Sequence, residues 1–123
     1  MGLIHADITL LNGEDITLAR KHFIGEEEIR KMTVKMLVDT GSFYLCINEE
    51  IQSHLQFPVV EKRKAITADG RIVECDMVSN VEVRFKNRAT TCRAMVLPGD
   101  CEPLLGAIPL EDMPARLPYL RIL

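Results

Sequence analysis

The sequence lacks most of what charged, metal-binding and membrane functions require. Positive charge is not in surplus: 15 lysines and arginines stand against 18 aspartates and glutamates, for a net charge of −3 and a pI near 5.6. Without a basic excess there is little to neutralise phosphates, so nucleic acid is not an expected partner. No apolar run approaches the ~20 residues of a membrane helix, so no membrane is expected either. Met1 to Asp7 shows neither the basic start nor the apolar stretch of an export signal, and Gly2 is followed by Ala6 where a myristoylation pattern needs Ser or Thr. The expected location is cytoplasmic. Cys46, Cys75, Cys92 and Cys101 form no C-x-x-C pair, and His5, His22 and His54 are isolated, which disfavours zinc. Glu26-Glu27-Glu28 lacks the spaced ligands of a calcium loop, and no glycine-rich phosphate loop occurs. No cofactor and no metal are expected. The cysteines read as reduced thiols that behave as small hydrophobes.

What is present suits one folded domain. The chain has 123 residues, 47% of them hydrophobic and 27% charged, which supports a single core and argues against disorder. The stretch that organises it is Met36-Leu37-Val38-Asp39-Thr40-Gly41-Ser42. Three apolar residues read as a buried strand running into Asp-Thr-Gly. An acid delivered by such a strand, ahead of a turn-permitting glycine, is held rigidly, as a carboxylate with a chemical task must be. The tripeptide alone is weak, since about a few per cent of chains this long would hold it by chance. Asp39 also has a plainer reading, as a turn former. Ser42 is not a serine nucleophile of the G-x-S-x-G kind.

Along the chain, Ala6 to Leu11 reads as a strand, Asn12-Gly13 as a hairpin turn, and Ile16 to Leu18 as a returning strand. Residues 19–30 read as a surface loop. Lys31 to Val38 alternates and then turns fully apolar before Asp39. Phe43 to Ile47 is a second core strand. Asn48 is placed to cap a short helix, with Glu49 and Glu50 at its positive end and Phe57-Pro58 closing it. Lys64 to Ala68 and Arg71 to Val78 flank Asp69-Gly70, the strongest hairpin signal. Val81 to Phe85 and Ala89 to Leu97 read as strands joined at Asn87-Arg88, with Arg84, Lys86 and Arg88 on the wet face and Lys62-Arg63-Lys64 as a solvated charge run. Leu104-Leu105-Gly106 precedes a helix beginning near Pro109, which Pro114 stops.

This order of strand, Asp-Thr-Gly-Ser, strand, Asp-Gly hairpin, then Leu-Leu-Gly and helix resembles the retropepsin-like aspartic proteases, especially their small bacterial members. The resemblance covers about residues 3–113, within a single domain of residues 1–123 whose tail, 114–123, is atypical. It implies a mostly β, closed-barrel fold with one or two short helices. It implies that Asp39 is the catalytic aspartate, that Thr40 braces the loop across a dimer, and that Gly41 turns its N–H toward the carboxylate. Ser42 would bond the outer oxygen of Asp39. The hairpin of Ala68, Asp69 and Gly70 would be the flap over substrate, and Leu104-Leu105-Gly106 would pack beneath the catalytic loop. Because one Asp-Thr-Gly supplies half of a dyad, the implied enzyme is a homodimer acting on a peptide or protein substrate. The competing reading is a catalytically inactive dimerisation or peptide-binding module of the same fold.

Overall fold

The computed structural model describes residues 4–39, 44–66 and 69–106. Seven strands and two α-helices follow one another: β1 (Ile4–Asn12), α1 (Gly13–Arg20), a 3₁₀ turn (Glu26–Glu28), β2 (Lys31–Val38), β3 (Leu45–Asn48), α2 (Glu49–Leu55), β4 (Val59–Ile66), β5 (Ile72–Phe85), β6 (Arg88–Leu97) and β7 (Leu104–Leu105). They form one sheet in the order β1-β2-β7-β3-β6-β5-β4, and β1 also pairs with β5, so the ladder returns on itself. The fold is mostly β, as expected.

The core lies inside that ring. Alternation along each strand aims Ile8, Leu10, Met36, Leu45, Ile47, Val78, Val83, Ala94 and Leu105 into it, with Ile51 and Leu55 of α2 closing one side. The α2 expectation holds in detail. Asn48 Oδ1 accepts from the Ile51 N–H at 2.9 Å, both glutamates sit in the first turn, and the helix ends at Gln56 in the left-handed region.

Three expectations need correction. Asn12-Gly13 is not a hairpin turn, and Ile16 to Leu18 is not a strand: Asn12 caps α1, Gly13 begins it and Ile16 to Leu18 lie within it. Asn12 is fully buried, and its Oδ1 accepts from the N–H groups of Glu14 and Asp15 at 2.9 and 3.2 Å, while those two acids occupy the positive end of the helix. Gly13 is needed there for closeness, since a Cβ at that position would lie 2.8 Å from the Asn80 carbonyl. The stretches expected at 71–78 and 81–85 are one strand, Ile72–Phe85, and not two. An extra residue between Val78 and Val81 bulges β5, with Asn80 at φ 58, so both valines still face the core. Arg88 does not face water. It begins β6 opposite Phe85, is 9% exposed, and its Nη1 is buried without a hydrogen-bond partner.

The Asp69-Gly70 hairpin is present, with Ile66 paired to Ile72 and Gly70 at φ 85, a conformation glycine adopts freely. β4 starts earlier than expected, at Val59. Thr40, Gly41, Ser42, Ala68 and the helix expected near Pro109 lie outside the described residues.

Candidate active site

Asp39 ends β2 and is held there by β7. The Leu37 N–H donates to the Pro103 carbonyl at 3.0 Å, and the Asp39 N–H donates to the Leu105 carbonyl at 3.0 Å. β7 is therefore wedged between β2, to which it is parallel, and β3, to which it is antiparallel. The ladder continues through Asp39, so its side chain keeps the strand's alternation. Met36 is fully buried inside the ring; Leu37 and Asp39 both lie on the other face, and Asp39 is half-buried.

The segment that delivers β7 is itself anchored. Asn48 Nδ2 donates to the Cys101 carbonyl at 2.8 Å, the Glu49 N–H donates to the Gly99 carbonyl at 3.2 Å, and the Gly99 N–H donates to the Glu49 carboxylate. The first turn of α2 thus fixes residues 99–101, which lead directly to the strand beside Asp39. His5 on β1 and Glu102 approach to 2.5 Å across the same segment.

Register shows what shares a face with Asp39. His5 pairs with Leu37, Leu37 with Leu104, Leu104 with Cys46, Cys46 with Met95, Met95 with Met77, and Met77 with Glu61. Paired residues project to the same side of a sheet, so this is one continuous row one step below Asp39. Its middle is apolar and rich in sulfur: Leu104, Cys46, Met95 and Met77, with Cys75 next to Met77 on the same face. Cys75 and Met77 are buried and Cys46 is half-buried. Burial pushes the Cys46 thiol up to about 11, and Cys75 nearby adds to this, so Cys46 is a neutral apolar group and a poor nucleophile. No disulfide joins any of the four cysteines.

The far ends of β1 and β2 carry a different polar cluster. Asp15 accepts from Arg30 three times: from its backbone N–H at 3.0 Å, from Nε at 2.8 Å and from Nη2 at 2.9 Å. Arg30 Nη1 donates to Gln56 at 2.8 Å, and Asn12 Nδ2 donates to the Leu55 carbonyl at 2.8 Å. The Arg30 hydrogen bonds hold the Asp15 carboxyl below its ordinary 3.8 despite burial. Two shallow grooves of about 210 and 440 Å³ flank Arg30. This cluster was not anticipated, although Asn12 followed by Glu14 and Asp15 is a helix-start signature that would have revealed half of it.

Among the expected site residues, the described ones do not sit together in the sheet. Asp39 lies beside β7, whereas Asp69 and Gly70 form the tip of the β4–β5 hairpin. There Arg71 Nε donates to Asp69 Oδ2 at 2.8 Å, and Ile66 and Ile72 are 75% and 68% exposed. Among the described residues, no group of three His, Cys, Asp or Glu side chains is placed to hold a metal ion, and no helix is long and apolar enough to cross a membrane.

A family model described as "Aspartyl protease" matches residues 26–108. The structure is similar to that of a retropepsin-like aspartic protease from Rickettsia conorii, with a TM-score of 0.58 and 18% identity over 89% of this chain and 71% of that one. No curated protein matches the chain. At that identity the structural likeness bears on the fold, which is retropepsin-like.

Proposed function

Because the chain belongs to the aspartyl protease family, we propose that it is a homodimeric aspartic endopeptidase whose dyad is Asp39 and the Asp39 of a second copy. The observation that carries this reading is the placement of Asp39: a half-buried carboxylate, tied through its backbone to Leu105, at the end of a core strand and above an uncharged floor. Rigid anchorage of this kind is what acid–base chemistry needs.

Two carboxylates that face each other cannot both ionise cheaply, so the pair holds one shared proton and titrates as a unit. The ionised partner takes a proton from water as the water oxygen bonds to the peptide carbonyl carbon. The protonated partner gives its proton to the carbonyl oxygen. Collapse of the tetrahedral adduct breaks the C–N bond, and a proton passes to the departing amine. In this reading Gly41 directs its N–H at the carboxylate, Thr40 braces the loop of the second copy and Ser42 bonds the outer oxygen. Ala68, Asp69 and Gly70 form the flap, and the exposed Ile66 and Ile72 beside the tip suit a closing apolar cover. The pairing of β1 with both β2 and β5 supports a closed barrel, and a single sheet running through residues 4–106 supports one domain. The absence of disulfides among four cysteines fits a cytoplasmic location.

The test is cleavage of a mixed peptide library from about pH 4 to 7, since acid–base catalysis varies with pH as its groups change protonation. The oligomeric state is recorded, and Asp39→Asn is run alongside. The expected result is cleavage by the parent dimer and none by the variant. A stable dimer that binds peptides and cuts none identifies the inactive peptide-binding module instead.

A further inference from the structure

The face that carries Asp39 leads, strand by strand, to a charged cluster at its far side. Glu61 of β4 closes the row described above, Arg63 pairs with Cys75 on the same face, and Arg93 is two residues from Met95 on β6 and so shares that face too. Arg63 Nη2 and Arg93 Nη1 both donate to the same oxygen, Glu61 Oε1, at 3.2 and 3.1 Å. Two guanidiniums thus share one carboxylate, and their side chains remain 46% and 59% exposed.

We infer that Arg63 and Arg93 form a specificity site that selects an acidic side chain in the peptide substrate, about four to seven residues from the bond that is cut. The inference rests on the peptidase reading and adds to it a preference that is this chain's own.

Four observations carry it. The first is charge: the cluster has a net surplus of one positive charge, and each guanidinium has five N–H donors, most of which the Glu61 contact leaves available. The second is orientation. The neighbouring Lys62, with Glu74 and Asp76 at 3.9 Å, projects from the opposite face of the β4–β5 hairpin, so those two acids do not cancel the surplus. The third is the intervening floor, where Leu104, Cys46 and Met95, all partly exposed, offer apolar contact and no competing charge. The fourth is distance. From β2 it is three strand spacings to β6, which carries Arg93, and five to β4, which carries Arg63, or about 14 and about 24 Å along the sheet. An extended peptide crossing the strands at roughly 3.3 Å per residue covers those spans in about four to seven residues. In a two-fold dimer the same cluster recurs at both ends of the cleft, so the acid is read on either side of the cut.

The test uses matched sets of three peptides that carry Glu, Gln or Lys at each of those positions in turn. For the parent, kcat/KM for the Glu peptide should exceed that for the Lys peptide by about three- to tenfold at low salt, and the ratio should shrink as salt screens the pair. Arg93→Glu should invert the preference toward Lys, and Arg63→Gln should weaken it. The same peptides are bound to Asp39→Asn and followed by fluorescence anisotropy. Cleavage of all three peptides of every set at equal rates overturns the specificity site and leaves the peptidase standing. Failure to cut any peptide overturns the peptidase reading, and binding then decides the site. Tighter binding of the Glu peptide, inverted by Arg93→Glu, supports it; equal or absent binding overturns it.

Discussion

Asp15 and Asp39 sit at opposite ends of β1 and β2, and their surroundings differ in kind. Asp15 is 4% exposed and takes three hydrogen bonds from one arginine, which lower its affinity for a proton. Around it, Asn12, Gln56 and the last carbonyls of α2 complete a network that joins α1, β2 and α2. Asp39 is half-buried, with its backbone locked into the ladder by Leu105 and its side chain on a face floored by thioethers and a neutral thiol. The first end uses a carboxylate as a fastening. The second end holds the backbone fast at a half-buried position, the arrangement that the proposed acid–base role asks for.

Exchanging the chemistry of the two acids should therefore separate activity from stability. The largest effect is expected for Asp39→Asn, which should reduce cleavage of a susceptible peptide by at least about a thousandfold, since acid–base groups contribute on that order. Its thermal midpoint should stay within about 2 °C of the parent, because Asn keeps the size of the side chain and leaves the backbone bond to Leu105 in place. Asp15→Asn should do the reverse. It leaves Arg30 without its counter-charge and should cost about 2–4 kcal/mol in chemical denaturation, with kcat preserved in the fraction that remains folded.

Asn12→Ala tests the same network from the cap side. It removes two bonds to the first turn of α1 and two to the end of α2, from a fully buried site. A loss of about 2–3 kcal/mol is expected, read from the shift in urea midpoint.

The pH dependence of stability follows from Asp15. Its folded carboxyl titrates below the ordinary value of 3.8, so it contributes stability above 3.8 that is lost as pH falls below that value through the folded one. Denaturant midpoints measured downward from pH 5 should fall more steeply for the parent than for Asp15→Asn. The smallest effect is expected at the α2 C-cap, where Gln56 occupies φ 50. Gln56→Gly relieves that strain but removes the acceptor for Arg30 Nη1, so the net change should lie within about 1 kcal/mol by thermal melts.

Much of this molecule was legible in its sequence. Strict alternation into an apolar run made β2 and the placement of Asp39 readable, and a capping asparagine ahead of two glutamates made α2 readable. The misreadings have one cause: a local signal that serves a distant contact. Gly13 looked like turn chemistry, but it is there because Asn80 of β5 comes close. The alternation from Val78 to Val81 slips because a bulge takes up one residue, which made one long strand look like two. Arg88 looked like a surface charge beside Arg84, and only the pairing of β5 with β6 turns it inward. The row from Leu37 to Glu61 was invisible for a similar reason, since each member is ordinary in its own strand and register alone aligns them.

The most direct measurement is the rate of peptide cleavage per mole of folded protein for the parent, Asp15→Asn and Asp39→Asn at matched folded fractions. A dyad at Asp39 requires that Asp15→Asn cut at the parent rate and that Asp39→Asn not cut. Cleavage that survives Asp39→Asn, or that vanishes with Asp15→Asn while the protein is still folded, would contradict it.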